Sequence, residues 1–471
     1  MTMTITIAIE AHTGNPLVEQ ITHAIQKQID ERQLRHGTRM PSIRTFATHH
    51  KISRFTVVTA YDRLVAMGYL QSRQGSGFYV ISRPQTPTTP QPTIKLDAAT
   101  DVLWLLRNAL AQPTSKPIPG AGWLPSDWMD ERGIQRSLRL LSKRSGSFLT
   151  SYGQPAGYAP LRDWLQHRLT EIGIYTNRSQ ILLTRSATHA LDLISRYLVR
   201  PGDRVLVDDP GYFLLFGALK SQGAQIIGVP WNQDGPDTVQ MERLIQEHKP
   251  NVFFTNTILH NPTGATITQA TAYRVLQLAE RYNLTIVEDD IYGDFHPGHA
   301  TRLATLDQLQ RVIYLSSYSK TVSASLRIGY IACSRELAPQ LIDLKLLTGM
   351  TTSEVNERVI HQMLTDGYYR KHLNSTRKKL QQGREQAMES FERLKLPLYV
   401  EPEGGMFIWV KLPEEINTIE MASHAAEQGI TLAPGNLFKP DQQPTPWMRF
   451  NVASSHEPAL IDFLTRQLNK L

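Results

Sequence analysis

The sequence is nearly free of cysteine: Cys333 is the only one among 471 residues. That excludes intramolecular disulfides and a cysteine-rich metal centre, so no metal site is expected. Cys333 closes the apolar run 328–333 and reads as a small core residue. Long apolar runs are lacking too. No stretch of 18 apolar residues occurs, and no apolar run follows a basic N-terminus. The expectation is a soluble, cytoplasmic protein with no membrane partner. Excess charge is modest: 50 Lys/Arg against 43 Asp/Glu leave +7. It is concentrated, because residues 1–83 hold ten Lys/Arg and five Asp/Glu and so carry about +5 of it. A polyanion suits that piece better than it suits the rest. At this length two or three domains are expected.

Residues 4–9 alternate Thr and Ile and predict a short strand. Asn15-Pro16 is a cap and first-turn pair for a helix, and Leu17, Ile21, Ile25 and Ile29 give it one apolar face. Pro41-Ser42 opens a second helix ending near His50. Lys51-Ile52 makes a turn, and Ser53 caps a third helix with Val57, Ala60, Tyr61 and Leu64 inward. Two helices joined by so short a turn predict a helix-turn-helix. Residues 69–73 and 77–80 then read as a hairpin with Gln74-Gly75-Ser76 at its tip, a wing. Arg73 is placed to reach phosphates or a minor groove, and Arg44 and Arg54 suit bidentate contacts to guanine.

Residues 15–80 resemble the DNA-binding domain of the GntR family of bacterial regulators. The resemblance rests on Pro41-Ser42-Ile43-Arg44, Ser53-Arg54-Phe55-Thr56-Val57, Gly68-Tyr69-Leu70 and Arg73-Gln74-Gly75-Ser76-Gly77. It implies that Arg44, Ser53, Arg54 and Thr56 touch duplex DNA and that the tip at Gln74-Gly75 lies in the minor groove. Val58 stands where some relatives have a further arginine, which implies a different base preference. The domain is expected over residues 1–82. A Pro/Thr-rich linker follows at 83–94, where recurring proline forbids helix and central strand. At about 3.1 Å per residue it would span roughly 35–40 Å.

Residues 95–471 predict an α/β domain. A helix is expected at 99–111, loops at 120–128 and 151–158, and helices at 128–141 and 159–168. Apolar strands are expected at 181–184, 204–207, 225–229, 252–255, 285–288, 312–315 and 328–332, with helices such as 187–199 and 269–281 between. Ligands in such folds sit at the carboxyl ends of strands. Ser186-Ala187-Thr188 opens a helix there and suits a phosphate. Tyr212 can stack on an aromatic ring, and Asn261 and Tyr292 can bond a phenolic oxygen. Asp289 can pair with a protonated pyridine nitrogen, since strand alternation turns Glu288 away. Ser317, Ser319 and Arg327 surround Lys320, a candidate Schiff-base lysine. Arg449 sits in an apolar strand-like run, and a buried guanidinium needs an anion: a ligand carboxylate or a structural salt bridge.

This order of residues is similar to that of the fold type I aminotransferases: an α/β pyridoxal-phosphate-dependent transferase fold with large (about 145–335) and small (about 95–144 and 336–471) parts. The resemblance implies pyridoxal 5'-phosphate as cofactor, linked to Lys320. Its ring is held by Tyr212, Asn261, Asp289 and Tyr292, and its phosphate by Ser186, Ala187, Thr188, Ser317, Ser319 and Arg327. Tyr152 is implied to reach the phosphate of a second subunit, and Arg449 to bind an amino acid's carboxylate. Ser186 stands where glycine is common. A GntR-type winged helix joined to this domain resembles the MocR subfamily of transcriptional regulators. That implies a homodimer, domain-swapped head to tail, which binds an operator and senses an amine or amino acid. The alternative is an active aminotransferase with an accessory N-terminal domain.

Overall fold

The computed structural model describes residues 16–31, 33–81, 110 and 118–470. The expected strand 4–9, the Asn15 cap, the linker 83–94 and nearly all of the expected helix 99–111 lie outside them. The chain divides into two compact units, residues 1–93 and 94–471.

The first unit holds helices α1 (Leu17–Asp30), α2 (Ile43–His50) and α3 (Arg54–Ala66), then strands β1 (Leu70–Arg73) and β2 (Gly77–Val80). Ser42 Oγ accepts the backbone N–H of Thr45, and Ser53 Oγ accepts that of Thr56, so each of the two later helices starts on a serine cap. Lys51 takes a left-handed φ of 53° and turns α2 into α3 within three residues. Ile21, Ile25, Phe46, Val57, Tyr61 and Leu64 form the core. The Tyr61 hydroxyl donates to the Pro41 carbonyl at 3.2 Å and ties α3 to the start of α2. β1 and β2 pair antiparallel, with Arg73 opposite Gly77. The helix-turn-helix and the wing are therefore both present. Ser53→Ala removes the α3 cap; a loss of about 1 kcal/mol from this unit is expected in urea unfolding of the full chain.

The second unit is built on an eight-stranded sheet. Its strands are β3 (Ile181–Thr184), β4 (Arg204–Asp209), β5 (Gln225–Asn232), β6 (Gly235–Pro236), β7 (Val252–Thr255), β8 (Thr285–Asp289), β9 (Val312–Ser317) and β10 (Gly329–Ala332). Their order is β3-β10-β9-β8-β7-β4-β5-β6. From β9 to β5 neighbours run parallel, whereas β10 is antiparallel to both β3 and β9. The strands read as unbroken apolar runs because both faces are covered. Leu206, Phe253, Ile286 and Val312 face one core. Val205, Val252, Val287 and Ile313, one residue away, face the other. A three-stranded antiparallel sheet, β11 (Phe407–Lys411), β13 (Trp447–Asn451) and β12 (Ala433–Pro434), packs with the helices Tyr368–Arg393 and Pro458–Leu468 around a third core.

Several element ends shift from the sequence expectation by one to three residues; β5, for one, runs to Asn232 rather than 229. Helix begins at Glu131 rather than 128, because Ser126–Trp128 forms a 3-10 turn and the Asp130 carboxylate caps at Gly133. Cys333 is buried one residue beyond β10, where its backbone N–H still donates to the Gln180 carbonyl.

Candidate cofactor site and DNA-facing helix

The sheet order reverses between β4 and β7, and the carboxyl ends of β4, β7, β8 and β9 open on one edge. Each delivers a predicted residue to it. Tyr212 follows β4, Asn261 follows β7, Asp289 ends β8, and Ser317 ends β9 shortly before Lys320. The antiparallel β10 starts at the same edge. Gly329 stands opposite Thr184 of β3 and Ser317 of β9, which joins the turn at 186–188 to the serines. A Cβ on Gly329 would lie 2.6 Å from the Ser186 carbonyl carbon, so only glycine permits this approach.

Lys320 is the centre of the cluster. Its Nζ donates to the Gly122 carbonyl at 2.5 Å. Burial first, then Arg449 and Arg327, lower its pKa to about 8, against the opposing pull of Asp289. Asp289 has its pKa raised to about 7, chiefly by burial, although the backbone N–H of Ile291 donates to it at 3.1 Å. Neighbouring carboxylates are already engaged. Glu288 accepts from Thr257 and from the backbone N–H groups of Leu303 and Ala304 on the far side of the strand. Asp290 is held by Arg302 at 2.7 Å and by Tyr314 at 2.6 Å. Of the three acids in a row, Asp289 alone accepts no side-chain hydrogen bond among the described residues.

The expected phosphate residues come together. Ser186 Oγ caps the helix Ala187–Leu198 through the His189 N–H and accepts from Arg327 at 2.9 Å. The serine at the position where glycine is common thus fixes the guanidinium beside the helix N-terminus. Ser317 gives its single proton to the Ile328 carbonyl at 2.9 Å and accepts the Ser319 N–H. The Ser319 hydroxyl, 2.9 Å from Ser317 Oγ, is then the donor of that pair, and of the two only its proton is free to turn to another acceptor. Burial raises the pKa of the Tyr212 hydroxyl to about 12, against a smaller opposing pull from Thr188. Burial also pushes the Tyr292 hydroxyl above its ordinary range. Tyr152 stands apart, 79% exposed beside Arg144, Glu354 and Arg358.

Arg449 is 1% exposed. It donates to Asn261 Oδ1 at 2.8 Å and to the Gly120 carbonyl at 2.6 Å, and its Nε has no partner. Phe407 and Phe438 lie 4.4 and 4.7 Å from its carbon, ring face on. Among the described residues no carboxylate bonds it, and the partners that hold it are an amide and a carbonyl rather than a salt bridge. Burial lowers its pKa to about 10.

Sequence reasoning missed a supporting layer. Asp208 accepts from Trp231 Nε1 at 2.7 Å and from the Asn256 N–H at 2.9 Å. Asn256 in turn donates to the Asp289 carbonyl at 2.8 Å and accepts the Asn261 N–H at 2.8 Å. The Asp-Asp pair at 208–209, facing an asparagine after β7, was the available signal. The sequence predicts no more than a loop at 120–128, and residues 118–124 carry a role in the site. They lie against the small sheet through Asn451, which donates to the carbonyls of Ala121 and Trp123, and they lend two carbonyls to the site. Gly120 has to be glycine, since a Cβ there would meet the Leu432 backbone at 2.5 Å.

In the first unit, Arg44, Ser53, Arg54, Arg73, Gln74 and Gly75 are exposed. Arg73 stacks on the Tyr79 ring at 4.7 Å. Thr56 is only half-exposed, and its hydroxyl pairs with that of Ser53 at 2.8 Å.

Fold and site together define a pyridoxal-phosphate-type transferase domain preceded by a winged helix. The model of bacterial regulatory proteins of the gntR family matches residues 17–80, and that of aminotransferase class I and II matches residues 127–468. The chain belongs to the class I and II aminotransferase family and carries a GntR domain ahead of it, the MocR architecture. The HTH-type transcriptional regulator YdfD of Bacillus subtilis is 29% identical over 90% of this chain and 90% of its own length. YdcR of Escherichia coli, also an HTH-type transcriptional regulator, is 28% identical over 92% of this chain and 94% of its own. Pyrococcus horikoshii kynurenine aminotransferase, solved with PMP, superposes with a TM-score of 0.72 at 27% identity, covering 78% of this chain and 94% of that one.

Proposed function

We propose that this chain is a cytoplasmic, DNA-binding transcriptional regulator whose second unit binds pyridoxal 5'-phosphate at Lys320 and senses an amine or amino acid there. The observation that carries the reading is the intact constellation around Lys320 in one chain with a winged helix. The residues fit the cofactor. Among the described residues a buried guanidinium lacks an anion, the Asp289 carboxylate accepts only a backbone N–H, and a helix N-terminus carries a fixed arginine. Ser186, Ala187, Thr188, Ser319 and Arg327 would hold the phosphate, with Ser317 positioning Ser319. Tyr212 would face the ring, Asp289 its nitrogen, and Asn261 and Tyr292 its oxygen. When bound, the cofactor supplies an aldehyde for amines and a ring that accepts electron density.

The chain's own groups do the rest. Lys320, with its pKa lowered to about 8, offers a neutral amine at mild pH and can carry a proton once displaced. Asp289 would accept a hydrogen bond from a protonated ring nitrogen in a dry setting, where the pairing is strong. Arg449 orients a carboxylate with bidentate donors. A homodimer, domain-swapped, would place two winged helices on two half-sites, with the exposed Tyr152 directed at the second subunit.

The test is a selection from randomised duplex DNA by the full chain, with and without pyridoxal phosphate and a panel of amino acids. Sequence enrichment that shifts with one amino acid supports the reading, and no enrichment overturns it. Arg54→Ala is expected to cost about 1–3 kcal/mol of specific affinity, about five- to 150-fold in a gel shift, with cofactor retention unchanged. Because Lys320, Asp289 and Arg449 are all in place, retained aminotransfer is the second reading. Sustained keto-acid formation without DNA selectivity would make it the first.

A further inference from the structure

The N-terminal turn of α3 carries a side chain that the reading above leaves unused. Phe55 is 80% exposed, and Met67 at 42% is the only other exposed large apolar residue among the described residues of its unit. Phe55 lies two residues before the buried Val57, about 200° around the helix, so it points away from the core. Its carbonyl accepts from the Thr59 hydroxyl at 2.9 Å, which ties down the polar end of the residue one turn on. The hydroxyls of Ser53 and Thr56 are committed to each other and to the cap. Of residues 53–56, then, only Arg54 and Phe55 project freely.

We propose that Phe55 is a base-reading residue that recognises thymine, its ring seated against the C5-methyl group in the major groove. The inference rests on the DNA-binding reading and adds a specificity to it. The major-groove edge of each base pair offers hydrogen-bonding atoms, and thymine alone adds a methyl group. An aromatic ring on the exposed start of a helix, next to Arg54 in the chain, matches that mixture of anion and methyl. A protein partner would call for a broader apolar patch than one ring. Arg54 and Phe55 would then read adjacent base pairs, a guanine and a thymine.

The experiment uses the full chain and the sequence it selects from a randomised duplex. Each thymine is replaced in turn by deoxyuridine, which removes only the methyl group. At one thymine per half-site the affinity is expected to fall about fourfold, the value of one buried methyl or methylene. Phe55→Ala, at an exposed position, should keep the fold by circular dichroism and lose that fourfold difference at the same thymine. The proposal is overturned if every deoxyuridine is neutral, or if Phe55→Ala keeps the methyl preference. Selection of no sequence at all would instead sink the DNA-binding reading, and the proposal with it.

Discussion

Lys320→Ala is expected to leave both units folded and to abolish covalent retention of the cofactor. Borohydride reduction of the wild-type chain with pyridoxal phosphate should add one fixed cofactor mass at Lys320, and the variant should gain none. The effect is all or none because the amine has no substitute: the other lysine with a lowered pKa, Lys345, donates to the Pro155 carbonyl and the Thr352 hydroxyl. A fixed mass on the variant would show that the lysine has been misassigned. The pKa near 8 adds a pH dependence. Attachment in the wild type should speed up as pH rises towards 8 and level off above it, whereas an exposed lysine would continue to gain up to about 10.4. The stability sign follows. The folded value lies below the ordinary one, so between about pH 8 and 10.5 the unfolded chain binds the extra proton, and this group's contribution rises with pH across that window.

Arg449→Met is expected to separate sensing from stability. Two charge-assisted bonds to a carboxylate are worth about 1.5–3 kcal/mol each. Their loss should weaken the response to amino acids about a hundredfold or more, and leave the response to simple amines unchanged. The ligand-free chain should change little, because loss of the bonds to Asn261 and Gly120 is set against relief of a buried charge. A guanidinium buried without an anion carries a desolvation cost, and apolar replacement of buried ionic groups is often neutral or stabilising by about 1–4 kcal/mol. Melting with and without amino acid checks both halves. Equal loss of response to amines and amino acids, or a large fall in the ligand-free melting temperature, would make Arg449 a structural residue.

Much of this arrangement was legible in the chain itself. β-Strands with two buried faces read as plain apolar runs, and the residues at their carboxyl ends follow in order: Tyr212, Asn261, Asp289, Lys320. Strand alternation correctly turned Glu288 away, and it now caps the helix Leu303–Asp307. Legibility ended where backbone atoms act. The carbonyls of Gly120 and Gly122 have no side-chain signature, and their roles depend on how residues 118–124 lie along the small sheet. The Asp208–Asn256 layer was hidden for another reason. A carboxylate and an amide near strand ends look like turn residues until the strands are placed side by side. The division of labour between Ser317 and Ser319 needed the Ile328 carbonyl, eleven residues away in the chain.

One consequence follows from the two oxygens that Arg449 touches. Asn261 belongs to the rim of the large sheet, whereas Gly120 belongs to a strap sewn onto the small one. The guanidinium is thus a latch between them. On the proposed reading an incoming carboxylate would draw its donors from that latch, so that arrival of a ligand and loosening of the two sheets would become one event.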